Sequence, residues 1–145
     1  MACALLEGCG GKSSRLSRSA YSARLATIGK EANKVQVDLE KARLAKSVSE
    51  IEARLKAFAT ADDRLGDEVS RLKPPKDAEA ANAELARGEH DTAAAVRSAL
   101  PRVAKFTSPK AAIGFLSTSL PNAKGAHELD QALSQLKKLG YTKGS

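Results

Sequence analysis

Residues 21–42 read YSARLATIGKEANKVQVDLEKA, and the spacing of their apolar and small side chains decides the fold class. Tyr21, Leu25, Ile28, Ala32, Val35, Leu39 and Ala42 recur at alternating steps of four and three. That average of 3.5 lays one stripe along a helix, whereas a strand would alternate every second residue. Gly29 lies off the stripe and costs about 1 kcal/mol against alanine, too little to break a helix of this length. Ser13 or Ser14 is the expected cap at its start.

Downstream the same logic repeats. Leu44, Val48, Ile51, Leu55, Phe58, Leu65, Val69 and Leu72 form a second stripe, out of phase with the first. Ser47 followed by Glu50 reads as a capping box: either the chain turns near Ala45–Ser47, which is the favoured expectation, or one long helix over residues 15–72 shifts its buried face there. Asp62 occupies a position where the stripe wants an apolar residue, which points to a bundle end or a register slip there. Pro74-Pro75 stops the segment, because proline neither donates to a helix nor tolerates one just before it. Asp77 is then the expected cap of a third helix, with Ala78, Ala81, Leu85, Gly88, Thr92, Val96, Ala99 and Val103 as its inner face. These small residues allow close approach of neighbouring backbones.

Pro101 should kink or break that helix near its end. Ser108-Pro109 is a cap followed by a first-turn proline and opens a short apolar helix, Ala111 to Leu116. Pro121 breaks the chain again. The last helix is expected at about Ala123–Leu139, with Leu129, Leu133, Leu136 and Leu139 inward and Lys137 and Lys138 at its negative end. Gly140 supplies a left-handed stop on which Tyr141 folds back. No strand pattern occurs. The expectation is an all-α, up-and-down bundle of about four helices over residues 15–141, preceded by a flexible tether at 1–14 and followed by a tail at 142–145.

The totals suit such an object. The chain has 145 residues, 3% aromatics and no tryptophan, and its formal net charge is +7. A positive balance favours anionic partners: a phospholipid surface, a cell-wall polyanion or nucleic acid. The charge is unevenly placed, with nine carboxylates against five cations between residues 61 and 91 and cations in excess before and after.

Both cysteines, Cys3 and Cys9, lie in the first nine residues, so no disulfide or zinc cluster holds the body together. Leu6 and Gly8 ahead of Cys9 fit a lipobox, in which the cysteine becomes a lipid-bearing N-terminus. Glu7 departs from it, since a carboxylate entering a bilayer is costly. The apolar run Ala2–Leu6 is also shorter than the roughly 7–15 residues of a secretory signal. Gly10-Gly11-Lys12-Ser13-Ser14 has the small, polar composition of a tether.

Reactive groupings are not spelled out. A helical-bundle metal site uses Glu-x-x-His pairs, but the residues three before His90 and His127 are Arg87 and Lys124. Both histidines are therefore expected at the surface. Gly10-Gly11-Lys12-Ser13 lacks the leading glycine of a phosphate loop, and Gly-x-Ser-x-Gly is absent. Neither a catalytic site, a metal nor a cofactor is expected. Nucleic acid is disfavoured, because Arg15, Arg18, Arg24, Lys30, Lys34 and Lys41 cluster loosely with no aromatic but Tyr21, and the acidic middle repels phosphate.

The order CGGKSS, a Tyr-led amphipathic helix, RLKPPKDAEAANAEL and a closing ELDQALSQLKKLGY resembles the small, mostly uncharacterised helical lipoproteins of Gram-positive bacteria, actinobacteria especially. The resemblance covers most of residues 9–141. It implies a diacylglyceryl group on Cys9 and a bundle facing outward from the membrane, with Lys12, Arg15 and Arg18 against the anionic surface. The function expected on this reading is a non-enzymatic, surface-anchored domain that works through protein or cell-envelope contacts. A cytosolic, coiled-coil-like adaptor or weak nucleic-acid binder is the alternative, and a cytoplasmic location would go with it.

Overall fold

The computed structural model describes residues 14–142. The lipobox, Cys9, Lys12 and most of the tail therefore lie outside the described residues. Among those described, the chain is all-helical and carries five α-helices: α1 Arg18–Ala42, α2 Val48–Arg71, α3 Glu79–Val103, α4 Pro109–Ser119 and α5 Lys124–Lys138. The expected count of about four is corrected to five. Three long helices make three legs, while α4 and α5 divide the fourth between them around Pro121.

The legs alternate in direction. Glu31 meets Arg64 across α1 and α2 at 3.1 Å, His90 meets Asp63 across α2 and α3 at 3.1 Å, and Asp91 meets Lys124 across α3 and α5 at 2.7 Å. Helix α3 lies between α2 and α5, α1 packs on α2, and α4 touches α2 and α3 only lightly. The apolar stripes account for two core regions. One gathers Tyr21, Leu25, Leu65, Val69, Leu85, Leu136 and Tyr141 at the end where α1 begins. The other gathers Ile51, Leu55, Phe58, Val96, Val103 and Leu116 toward the opposite end.

Local chemistry places the boundaries. Ser17, not Ser13 or Ser14, caps α1 by accepting from the Ala20 amide at 3.2 Å. Ser47 caps α2 by accepting from Glu50, and Glu50 in turn accepts from the Lys46 amide, so the chain does turn between α1 and α2. Ser108 caps α4, with Pro109 in its first turn. Pro101 lies inside the last turn of α3 without ending it. Gly140 adopts φ +77, and the Tyr141 amide donates to the Leu136 carbonyl at 2.9 Å, closing α5.

Four expectations need correction. Asp77 does not cap α3: it lies in a one-turn 3-10 helix at Lys76–Ala78, and Ala78 precedes α3 without a side-chain cap. The Asp77 carboxylate instead accepts from the Tyr141 hydroxyl at 2.6 Å. Leu44 and Leu133 are not inward, being 81% and 47% exposed. On α5 Ala132 takes the buried place beside Leu136. Asp62 marks neither a bundle end nor a slip, since it is buried within a continuous α2.

Small residues bring the legs close. A Cβ at Gly125 would fall 2.4 Å from the Thr92 backbone nitrogen, and one at Gly88 would fall 2.9 Å from that of Leu129. Tyr21 pins three legs together: its hydroxyl donates to Asn82 Oδ1 at 3.0 Å, and Asn82 Nδ2 donates to the Val69 carbonyl at 3.1 Å.

Candidate functional site: a basic end, an apolar cleft and a buried carboxyl pair

The end of the bundle where the chain enters α1 collects three distant stretches of sequence. The Leu16 amide donates to the Lys73 carbonyl at 2.7 Å. Arg15 reaches Glu79 at 3.2 Å and the Pro74 carbonyl at 3.1 Å. Arg18 pairs with Asp77 at 3.6 Å, donates to the Leu139 carbonyl and lies 4.4 Å over the Tyr141 ring. These contacts gather Arg15, Arg18, Lys73, Lys76, Lys137 and Lys138 on one exposed end, against the carboxylates of Asp77 and Glu79.

Arg15 and Arg18, the two expected surface-contact residues within the described chain, are thus engaged within the molecule. Lys73, Lys76, Lys137 and Lys138 are exposed and form no ion pair with a described residue. Sequence reading missed these four as a group, because their convergence depends on the Pro74-Pro75 link and the α5 terminus meeting the start of α1. The one available signal was Lys137-Lys138 itself, which helix polarity alone also explains.

The second feature is a cleft of about 280 Å³ beside the C-terminal half of α1. Leu39 and Ala42 form its α1 side, and Ile51, Leu55 and Phe58 its floor on α2. Val96 of α3, Ile113 and Leu116 of α4 and Ala126 of α5 complete the walls, while Gln36, Glu40 and Arg43 lie exposed at its edge. The cleft exists because the fourth leg packs on α3 and α2 without closing along α1. Sealed and empty, a void of this volume would cost about 7 kcal/mol at ~24 cal/mol per Å³, comparable to the whole stability of a domain. It persists as an opening whose partly exposed apolar walls are Leu39, Ile113, Leu120 and Leu129, above the fully buried Ile51, Leu55 and Val96.

The third feature lies between α2 and α3. Asp62 and Glu89 are buried to 5% and 7% exposure and hydrogen-bonded to each other. Burial pushes the Asp62 carboxyl up to about 6. Burial and then the Asp62 charge push Glu89 up to about 8. Asp62 Oδ2 has no hydrogen-bond partner among the described residues. Next to them Asp63 pairs with Arg97, and the His90 ring lies between Asp63 at 3.1 Å and Asp67 at 3.6 Å, against the bare Cα of Gly66. His90 is therefore a half-exposed member of an ion-pair cluster, not a plain surface residue, whereas His127 is exposed on α5. Among the described residues no group of three His, Cys, Asp or Glu side chains is arranged to hold a metal ion, and no helix is long and apolar enough to cross a membrane.

Comparison with known family models, curated proteins and solved structures returned no match for this chain.

Proposed function

We propose that the protein is a non-enzymatic, surface-anchored helical domain acting through protein or cell-envelope contacts, tethered by lipid on Cys9 with its basic end against anionic phospholipid. One observation carries this reading. Four lysines that form no ion pair among the described residues, from the α2–α3 link and the end of α5, lie on the same end as residue 14, which leads back through the Gly/Ser stretch to Cys9. A lysine close to an anionic leaflet adds about 1 kcal/mol of attraction. A diacylglyceryl group carries two acyl chains and so holds a protein by itself, and the basic patch adds attraction and sets which end of the bundle faces the lipid.

On this reading the acidic waist and the opposite end face away from the membrane. Arg15 and Arg18 serve by holding the α2–α3 link and the α5 terminus in place, and the lysines make the contact. Metabolic labelling with palmitate tests the anchor. Label should enter the wild-type protein and be absent from Cys9→Ala, which should also leave the membrane fraction. Equal labelling of both would refute lipidation at Cys9.

A further inference from the structure

We propose that the cleft beside α1 holds a single aliphatic chain of about ten carbons, with its polar end at Gln36, Glu40 and Arg43. This does not depend on membrane attachment. An apolar cavity of ~150 Å³ accepts one benzene, so a cleft of about 280 Å³ has room for about ten carbon atoms.

The chemistry of the edge fixes the orientation. Gln36, Glu40 and Arg43 are the charged and amide groups of the α1 wall, about one turn apart and exposed. Arg43 and Glu40 pair with each other at 3.3 Å, with their side chains 61% and 48% exposed. An ion pair this open is weak and exchangeable, so an incoming head group can displace Glu40 from Arg43 at little cost. The remainder of the ligand then lies along Leu39, Ile113, Leu120 and Leu129, the partly exposed apolar residues of the lining.

The sequence supplies its own reporters. The chain has three isoleucines: Ile51 and Ile113 line the cleft, while Ile28 lies in the core toward the other end. Methyl NMR spectra of the isoleucine-labelled full chain, titrated with decanoate below its micelle concentration, should show saturable shifts at Ile51 and Ile113 and none at Ile28. Butyrate, six methylenes shorter, should bind at least about a hundredfold more weakly. Ala126→Phe should fill the cleft and abolish the decanoate shifts while helical circular dichroism is kept. Ala95→Leu, from the α3 wall, serves the same purpose if Ala126→Phe unfolds. No saturable response, equal response to butyrate, or shifts of all three isoleucines alike would overturn the proposal.

Discussion

Asp62 on α2 and Glu89 on α3 lie buried beside each other inside the bundle, although neither stripe asks for a carboxyl there. Two carboxyl groups this buried and this near cannot both ionise without leaving like charges in a poorly solvated seam. The glutamate keeps the proton and donates to the aspartate. The seam in question joins α2 to α3, the pair on which the other legs are assembled.

The pair makes stability fall as pH rises. Both folded-state values, about 6 for Asp62 and about 8 for Glu89, exceed the ordinary 3.8 and 4.5. Between about pH 4 and pH 8 the folded chain therefore binds more protons than the unfolded one, and unfolding becomes easier with each step upward. Asp38, Glu50 and Asp91 are held low by hydrogen bonds from Lys41, Arg54 and Lys124, so their contribution is lost only on acidification below this window. Glu89→Gln mimics the protonated form. It should match wild type at pH 5 and exceed it at pH 9 by on the order of 3 kcal/mol, read from urea unfolding at each pH. Parallel curves for the two proteins would contradict a proton kept by Glu89.

Helix contacts should tell backbone crowding from side-chain crowding. At Gly125 an added Cβ meets the Thr92 backbone, whereas at Gly66 it meets the His90 ring at 2.8 Å. A backbone cannot step aside, but an imidazole can rotate. Gly125→Ala should lose about 1–3 kcal/mol, the usual cost of overpacking. Gly66→Ala should lose less, or gain from a better helix former. Thermal melts of the two variants check the order, and a larger loss at Gly66 would reverse the assignment.

Exposure overrides hydrophobicity at two leucines. Leu44→Glu and Leu133→Glu should each change stability by no more than about 0.5 kcal/mol, as surface substitutions do. Leu25→Glu, at a position 7% exposed, places an unpaired charge in the core and should cost several kcal/mol or unfold the chain. Urea midpoints distinguish these outcomes.

Much of the fold was legible in residue spacing. The stripes from Tyr21 and from Ile51, the Ser47 cap, the Pro74-Pro75 stop and the Gly140 close all recur in the structure, because each is a local preference that tertiary packing reinforces. Leu44 and Leu133 misled because periodicity gives a helix face without saying how far a neighbour extends along it. Asp77 misled because its carboxylate had a better partner in Tyr141, sixty-four residues away. The cleft was not legible at all: it arises from two short helices failing to close along a long one. The basic end was half legible, in Arg15 and Arg18, and its lysines emerged only once three segments met.

On the proposed function, this end of the bundle meets an anionic membrane. Cosedimentation with vesicles of phosphatidylglycerol and phosphatidylcholine, against phosphatidylcholine alone, tests it most directly. Two variants decide the matter: one with Lys73, Lys76, Lys137 and Lys138 changed to glutamate, the other with only Lys105→Glu and Lys110→Glu at the opposite end. The first should lose about a hundredfold or more in affinity for the anionic vesicles while the second stays close to wild type. Equal loss in both, or binding that ignores the four lysines, would contradict it.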